Sequence, residues 1–138
     1  MASERYFVDT SYWIALELAD DQNHDPAQAK WNSLDLVNTD FVTTTYVFDE
    51  AITFLNSRNA HRTAVELGDS ILLSPRIELV HIDEDLFFEG WEFFQRHRDK
   101  EYSLTDCISF IVMKQRKLTT ALTFDKDFSQ AGFQVRSE

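Results

Sequence analysis

The sequence predicts a single α/β domain with a central parallel sheet of four to five strands and helices on both faces. Short runs of β-branched and aromatic residues alternate with longer runs whose apolar residues recur at helical spacing, which is typical of βαβ units. The chain has 138 residues, 43% of them hydrophobic, enough for one core. Only 3 Gly and 2 Pro are present, so we expect no long linker and one domain over residues 1–138.

The predicted strands are short apolar runs that end at turn residues or acids. In chain order they are residues 5–8, 41–43, 77–82, 118–123 and, at an edge of the sheet, 133–135. In a sheet of this kind ligands bind beyond the carboxyl ends of the strands. The residues that follow each strand are therefore the first candidates for a site.

The predicted helices are the amphipathic segments between these strands. They extend over about residues 12–18, 25–33, 47–55, 59 or 60 to 73, 84–95 and 104–115. Thr10 or Ser11 is expected to cap the first helix, and Asp83 and Ser103 the last two, because short polar side chains accept hydrogen bonds from free backbone N–H groups. Pro26 is compatible with the first turn of the second helix.

Charge and cysteine content restrict the function classes. The net charge of −11 argues against a non-specific nucleic-acid binder with a basic surface, but is compatible with a nuclease whose acids bind metal. The single cysteine, Cys107, excludes an internal disulfide and is expected to be a small buried side chain. No apolar run reaches about 18 residues and no leader-like start is present, so we expect a cytoplasmic protein that does not enter a membrane.

Four acids fall at or near the ends of predicted elements. Asp9 and Asp125 follow the first and fourth strands, where a turn or cap role would explain each one alone. Glu50 borders the apolar stripe of its helix, where it would pair with a cation or bind metal. Asp106 lies three residues after Ser103, the spacing of a capping box, and also faces an apolar helix. Together, the four carboxylates are predicted to converge on one rim of the sheet.

Clustered carboxylates suit a hard divalent cation. Mg²⁺ takes oxygen ligands and keeps several waters, and a bound metal ion activates water against an anionic phosphodiester. The four histidines are scattered and show no Cys/His spacing, so a zinc site is not expected.

Four sequence blocks resemble the PIN-domain family, and in particular the toxin of a VapBC-type toxin–antitoxin pair. The blocks are residues 7–16, 44–50, 103–107 and 122–128. The resemblance implies an Mg²⁺- or Mn²⁺-dependent endoribonuclease. It also implies Asp9, Glu50 and Asp106 as core acids, with Asp9 and Asp106 as metal ligands. Asp125 is the fourth acid, and Asp127 competes for that role. The implied supporting residues are Thr10, Ser103 and Thr123.

Further expectations concern RNA and partners. Arg96, Arg98 and Lys100 precede the Asp106 helix and either contact RNA phosphates or lie in a solvated loop. Residues 86–94 are apolar on more than one face, so part of this run is expected to meet another protein. The resemblance implies a homodimer and an inhibitory antitoxin. A PIN nuclease that is not a toxin, and an inactive module that binds RNA or protein, remain as alternatives.

Overall fold

The structure, a computed structural model, describes residues 4–136. The strands are β1 (Glu4–Val8), β2 (Thr39–Thr44), β3 (Ile77–Val80), β4 (Thr120–Leu122) and β5 (Gln134–Arg136). The helices are α1 (Thr10–Glu17), α2 (His24–Ser33), α3 (Thr45–Ser57), α4 (His61–Leu73), α5 (Glu84–Arg96), α6 (Leu104–Gln115) and α7 (Asp127–Gln130).

The five strands form one parallel sheet in the order β3-β2-β1-β4-β5. The chain builds outward from β1 through β2 to β3, then returns to the other side of β1 to form β4 and β5. Right-handed crossovers in these two directions place α1–α4 and α5–α6 on opposite faces. The predicted α/β fold is confirmed. The strand order reverses between β1 and β4, the point at which open parallel sheets bind ligands.

Several predicted boundaries differ from the structure. The strand predicted at residues 41–43 extends over Thr39–Thr44, and the one predicted at 118–123 is limited to Thr120–Leu122. The strand predicted at 77–82 ends at Val80. The single-turn helix α7 was not predicted, because four residues carry too little periodicity to be recognised.

The helix caps were predicted correctly at two positions and wrongly at one. The Asp83 Oδ1 atom accepts a hydrogen bond from the Leu86 N–H at 2.9 Å, and the Ser103 Oγ atom accepts one from the Asp106 N–H at 3.0 Å. At α1, however, the N-cap is Asp9 rather than Thr10 or Ser11, and its side chain makes no capping bond. The Asp9 side chain does not cap the helix because its carboxylate accepts hydrogen bonds from the Ser11 and Thr123 hydroxyls.

The helices α5 and α6 pack closely at Gly90. A Cβ atom added there would lie 2.4 Å from the Ile108 Cγ1 atom, inside a fully buried core contact. We expect Gly90→Ala to lower the free energy of unfolding by about 1–3 kcal/mol, the usual cost of overpacking. Denaturant unfolding measures this, with Gly68→Ala as control, since its Cβ would be 3.2 Å from the end of the Phe48 ring. Equal stability of the two variants would contradict the prediction.

Across residues 4–136, no helix combines the length and the apolar character needed to cross a bilayer.

Candidate active site

The predicted acids line one cavity beyond the carboxyl ends of β1 and β4. Its volume is about 440 Å³. Its walls are formed by Asp9, Thr10, Ser11, Ile14, Glu50, Phe54, Glu101, Ser103, Asp106, Asp125 and Asp127. The structure thus brings together residues that lie up to 118 positions apart in the sequence. Ser11 and Glu101 were not singled out from the sequence. Ser11 was considered only as a helix cap, and no sequence signal marks Glu101.

Asp9 is held at the end of β1 by both neighbouring elements. Its N–H donates to the Leu122 carbonyl at 3.1 Å. Its Oδ2 atom accepts hydrogen bonds from the Ser11 hydroxyl at 2.9 Å and the Thr123 hydroxyl at 2.8 Å. Burial raises the pKa of Asp9 to about 6, although these hydroxyls oppose the shift. The predicted supporting residue Thr123 therefore lies behind the cavity and orients this carboxylate.

Asp106 combines the capping role and the site role that its sequence position left open. Its Oδ2 atom accepts a hydrogen bond from the Ser103 N–H at 3.1 Å, which completes a capping box at the start of α6. The side chain is buried, and this burial together with repulsion from Asp9 raises the pKa of Asp106 to about 7. A carboxylate in such surroundings is unfavourable unless a cation lies nearby.

Asp125 lies in the turn after β4, Asp127 is the first residue of α7, and both line the cavity. The Asp125 N–H donates to the Thr123 hydroxyl at 2.9 Å, and the Asp127 N–H donates to Asp125 Oδ1 at 2.9 Å. One carboxylate oxygen from each of Asp106, Asp125 and Asp127 lies within 4.8 Å of the other two. Burial and repulsion from Asp125 raise the pKa of Asp127. Both competitors for the fourth acid thus join Asp106, whereas Asp9 lines the cavity without belonging to this group.

Glu50 lines the cavity from α3, at the border of the apolar stripe as its sequence position predicted. The side chain is exposed, because the buried stripe of α3 consists of Val47, Ala51 and Leu55 and leaves Glu50 beside it. No ion pair of Glu50 occurs within residues 4–136. The carboxylate therefore faces water in the cavity and is available to substrate.

The basic residues predicted to contact RNA do not line the cavity. Arg96, Arg98 and Lys100 are exposed at the end of α5 and in the loop after it. The Lys100 Nζ atom lies 3.9 Å from the Asp99 carboxylate. Glu101, the next residue, is the one that reaches the cavity wall.

The apolar run of residues 86–94 is only partly used in the core. Leu86 and Gly90 are buried in α5. Exposed aromatic side chains remain on its surface: Phe87, Phe88, Trp91 and Phe94. This leaves an aromatic surface without a partner within the described part of the chain.

The donor set fits Mg²⁺ or Mn²⁺. The cavity walls offer carboxylate and hydroxyl oxygens and contain no histidine or cysteine, and Cys107 is fully buried as predicted. Two oxygens on one Mg²⁺ lie at most about 4.2 Å apart. One carboxylate oxygen from each of Asp106, Asp125 and Asp127 lies within 4.8 Å of the other two, so small side-chain adjustments would let all three bind one ion. Within residues 4–136 the buried Thr10 Oγ1 atom has no hydrogen-bond partner.

Comparisons with known proteins agree with this geometry. The PIN domain family model matches residues 6–134. The 23S rRNA-specific endonuclease VapC20 of Mycobacterium tuberculosis is 42% identical over 133 residues, which cover 96% of this chain and 98% of that protein. The match confirms the prediction of a nuclease of the VapC toxin type.

Solved structures agree as well. The crystal structure of Mycobacterium tuberculosis VapC20, a sarcin–ricin loop cleaving toxin, is similar with a TM-score of 0.84 and 40% identity, covering 93% of this chain and 95% of that one. VapBC2 from Rickettsia felis bound to promoter DNA (TM-score 0.69, 12% identity, 96% and 97% covered) and FitAcB from Neisseria gonorrhoeae (0.63, 20%, 94% and 95%) share the fold. The chain belongs to the PIN domain family.

Proposed function

We propose that this protein is a metal-dependent endoribonuclease that cleaves 23S ribosomal RNA at the sarcin–ricin loop. The observation that carries the proposal is the convergence of six acids on one cavity at the switch point of the sheet: Asp9, Glu50, Glu101, Asp106, Asp125 and Asp127. The proposed RNA target is taken from VapC20, which is 42% identical over nearly the whole chain and is named as a 23S rRNA-specific endonuclease. Its crystal structure is described as that of a sarcin–ricin loop cleaving toxin.

The acidic side chains have separable roles in this proposal. Asp106, Asp125 and Asp127 would hold Mg²⁺ or Mn²⁺, with Asp9 as a further ligand. The bound ion would lower the pKa of a coordinated water and neutralise charge on the phosphate. Ser11 and Thr123 fix the orientation of Asp9 through its Oδ2 atom. Glu50, exposed at the cavity wall, would accept a proton from the attacking water.

The proposal extends to partners and compartment. We assign the protein to the toxin half of a toxin–antitoxin pair, since VapC20, which is 40% identical in sequence and similar in structure, is named as a toxin. The exposed aromatic surface of α5 supports a second copy or an antitoxin as partner. A ribosomal RNA substrate and a free, buried Cys107 are compatible with a cytoplasmic site of action.

The experiment that tests the function is cleavage of a stem-loop RNA with the sarcin–ricin loop sequence. The RNA is incubated with the protein in Mg²⁺, in Mn²⁺ and in EDTA, beside a stem-loop of equal length with a scrambled loop. We expect one defined cut in the first RNA, in the presence of metal only. Cutting that persists in EDTA would contradict the metal-dependent mechanism. Intact RNA in all conditions would contradict the target, and a panel of structured RNAs would then test for another one.

A further inference from the structure

A second depression adjoins the acidic cavity and shares only Asp125 with the proposed catalytic acids. Its volume is about 560 Å³, within the range of small-molecule sites. The two share four wall residues: Ser11, Ile14, Phe54 and Asp125. The remaining wall consists of Asp21, Gln22, Asn23, Phe124 and Lys126. A bound strand that crosses the acidic cavity can therefore enter this depression directly.

Phe124 forms a rigid aromatic wall of the depression. Its ring stacks on the Tyr12 ring with centroids 5.7 Å apart and an interplanar angle of 9°. Tyr12 is fully buried, and its hydroxyl donates to the Ala27 carbonyl at 2.8 Å. The Phe124 side chain itself is only half-buried. A ring supported on one face and accessible elsewhere is suited to stack an unpaired base.

The position of this ring is fixed relative to the catalytic carboxylate. The Phe124 N–H donates to the Ser11 Oγ atom at 3.0 Å, and the same Ser11 hydroxyl donates to Asp9 Oδ2 at 2.9 Å. One serine therefore connects the aromatic wall and the acidic cavity. A base on Phe124 would belong to a nucleotide next to the phosphate that is cut.

The polar groups of the depression suit a base edge better than a phosphate. Asp21 and Asp125 would repel a phosphate, and the Asp21 carboxylate can accept hydrogen bonds from exocyclic amino groups. The Asn23 side chain makes no hydrogen bond within residues 4–136 and offers both a donor and an acceptor. Lys126 is exposed, has no ion pair in the same part of the chain, and supplies one cation for the backbone.

We propose that this depression is a nucleobase subsite of the nuclease. An unpaired base adjacent to the scissile phosphodiester stacks on Phe124, and its edge faces the loop of residues 21–23. The inference rests on the proposed function, because it assigns the subsite to the same RNA substrate.

The test uses sarcin–ricin stem-loops that carry 2-aminopurine at successive loop positions, since stacking quenches its fluorescence. Binding is measured in EDTA, and cleavage of the unlabelled stem-loop in Mg²⁺. Phe124→Leu keeps an apolar side chain against Tyr12 but removes the aromatic face, and Phe124→Tyr keeps that face. Phe133→Leu is the matched control, because Phe133 is also half-buried, its ring lies 5.8 Å from the Phe110 ring, and it lines neither depression. Asn23→Ala removes a base-edge group without disturbing a cap bond.

We expect quenching at one loop position in the parent and in Phe124→Tyr, lost in Phe124→Leu together with an increase of about tenfold or more in Kd and KM. Asn23→Ala should reduce discrimination among bases at that position. RNA binding and cleavage by Phe124→Leu equal to the parent, with quenching retained, would overturn the subsite and leave the depression to a protein ligand. If the parent itself neither binds nor cuts RNA, the proposed function fails, and the subsite fails with it.

Discussion

Asp106→Asn is expected to abolish RNA cleavage while raising the free energy of unfolding at neutral pH. The substitution removes a carboxylate from the group of three that would hold the metal, so the cleavage rate should fall by about 10³-fold or more. It also removes a buried negative charge that desolvation and repulsion from Asp9 make unfavourable. The Asn oxygen can still accept the hydrogen bond from the Ser103 N–H, so the capping box is kept.

Single-turnover cleavage and denaturant unfolding in EDTA measure the two effects of this substitution. Asp83→Asn is the matched control, because Asp83 also bonds the first turn of its helix but is exposed and does not line the cavity. The control should change neither quantity by much, since Asn and Asp cap equally well. An Asp106→Asn protein that is inactive and also unstable would indicate a structural rather than a catalytic role. One that cuts like the parent would show that the cavity is not the active site.

The fold and the general location of the site could be predicted from the sequence. Strand and helix periodicity placed Asp9 and Asp125 after strands, and the carboxyl ends of parallel strands share one edge. The position of Asp106 followed from its spacing to Ser103. These inferences are local, so they did not depend on knowing which strands are neighbours.

The contacts that organise the cavity could not be predicted from the sequence. The hydrogen bond between Thr123 and Asp9 joins residues 114 positions apart, and it depends on β4 lying beside β1. No local pattern shows that Ser11 would turn toward Asp9 instead of capping α1. The grouping of Asp106 with Asp127 likewise depends on the turn after β4.

Two positions show what helical spacing and closeness in sequence leave undecided. They are Glu50 and Lys100. Glu50 borders the apolar stripe as its sequence position predicts, yet the border of a stripe can face open water as well as the core. Closeness in sequence also left the position of Lys100 undecided between the site and a solvated loop. It lies six residues from Asp106, but the wall residue between them is Glu101.

In the absence of metal, the protein is expected to lose stability as the pH rises from about 4 to about 7. The pKa values of Asp9 and Asp106 are raised to about 6 and about 7 from an ordinary 3.8, so the folded chain binds more protons than the unfolded chain in this window. The free energy of unfolding changes with pH in proportion to the number of protons bound by the unfolded chain minus the number bound by the folded chain. Because this difference is negative here, stability decreases as the pH rises. The stabilisation that comes from protonated Asp9 and Asp106 in the folded chain is fully present below about pH 4 and is lost above about pH 7. The loss is on the order of a few kcal/mol.

Bound Mg²⁺ should reverse this loss, because the cation favours the charged carboxylates that the apo protein disfavours. Thermal unfolding at pH 5.5 and at pH 7.5, with Mg²⁺ and with EDTA, measures both effects. The variant with Asp9→Asn and Asp106→Asn together is the reference, since it keeps every other titrating group. We expect Mg²⁺ to raise the Tm of the parent much more at pH 7.5 than at pH 5.5, and to leave the double variant almost unchanged. The same dependence on pH and on Mg²⁺ in the parent and the double variant would contradict the prediction. It would mean that neither the pH dependence nor the binding of Mg²⁺ comes from Asp9 and Asp106.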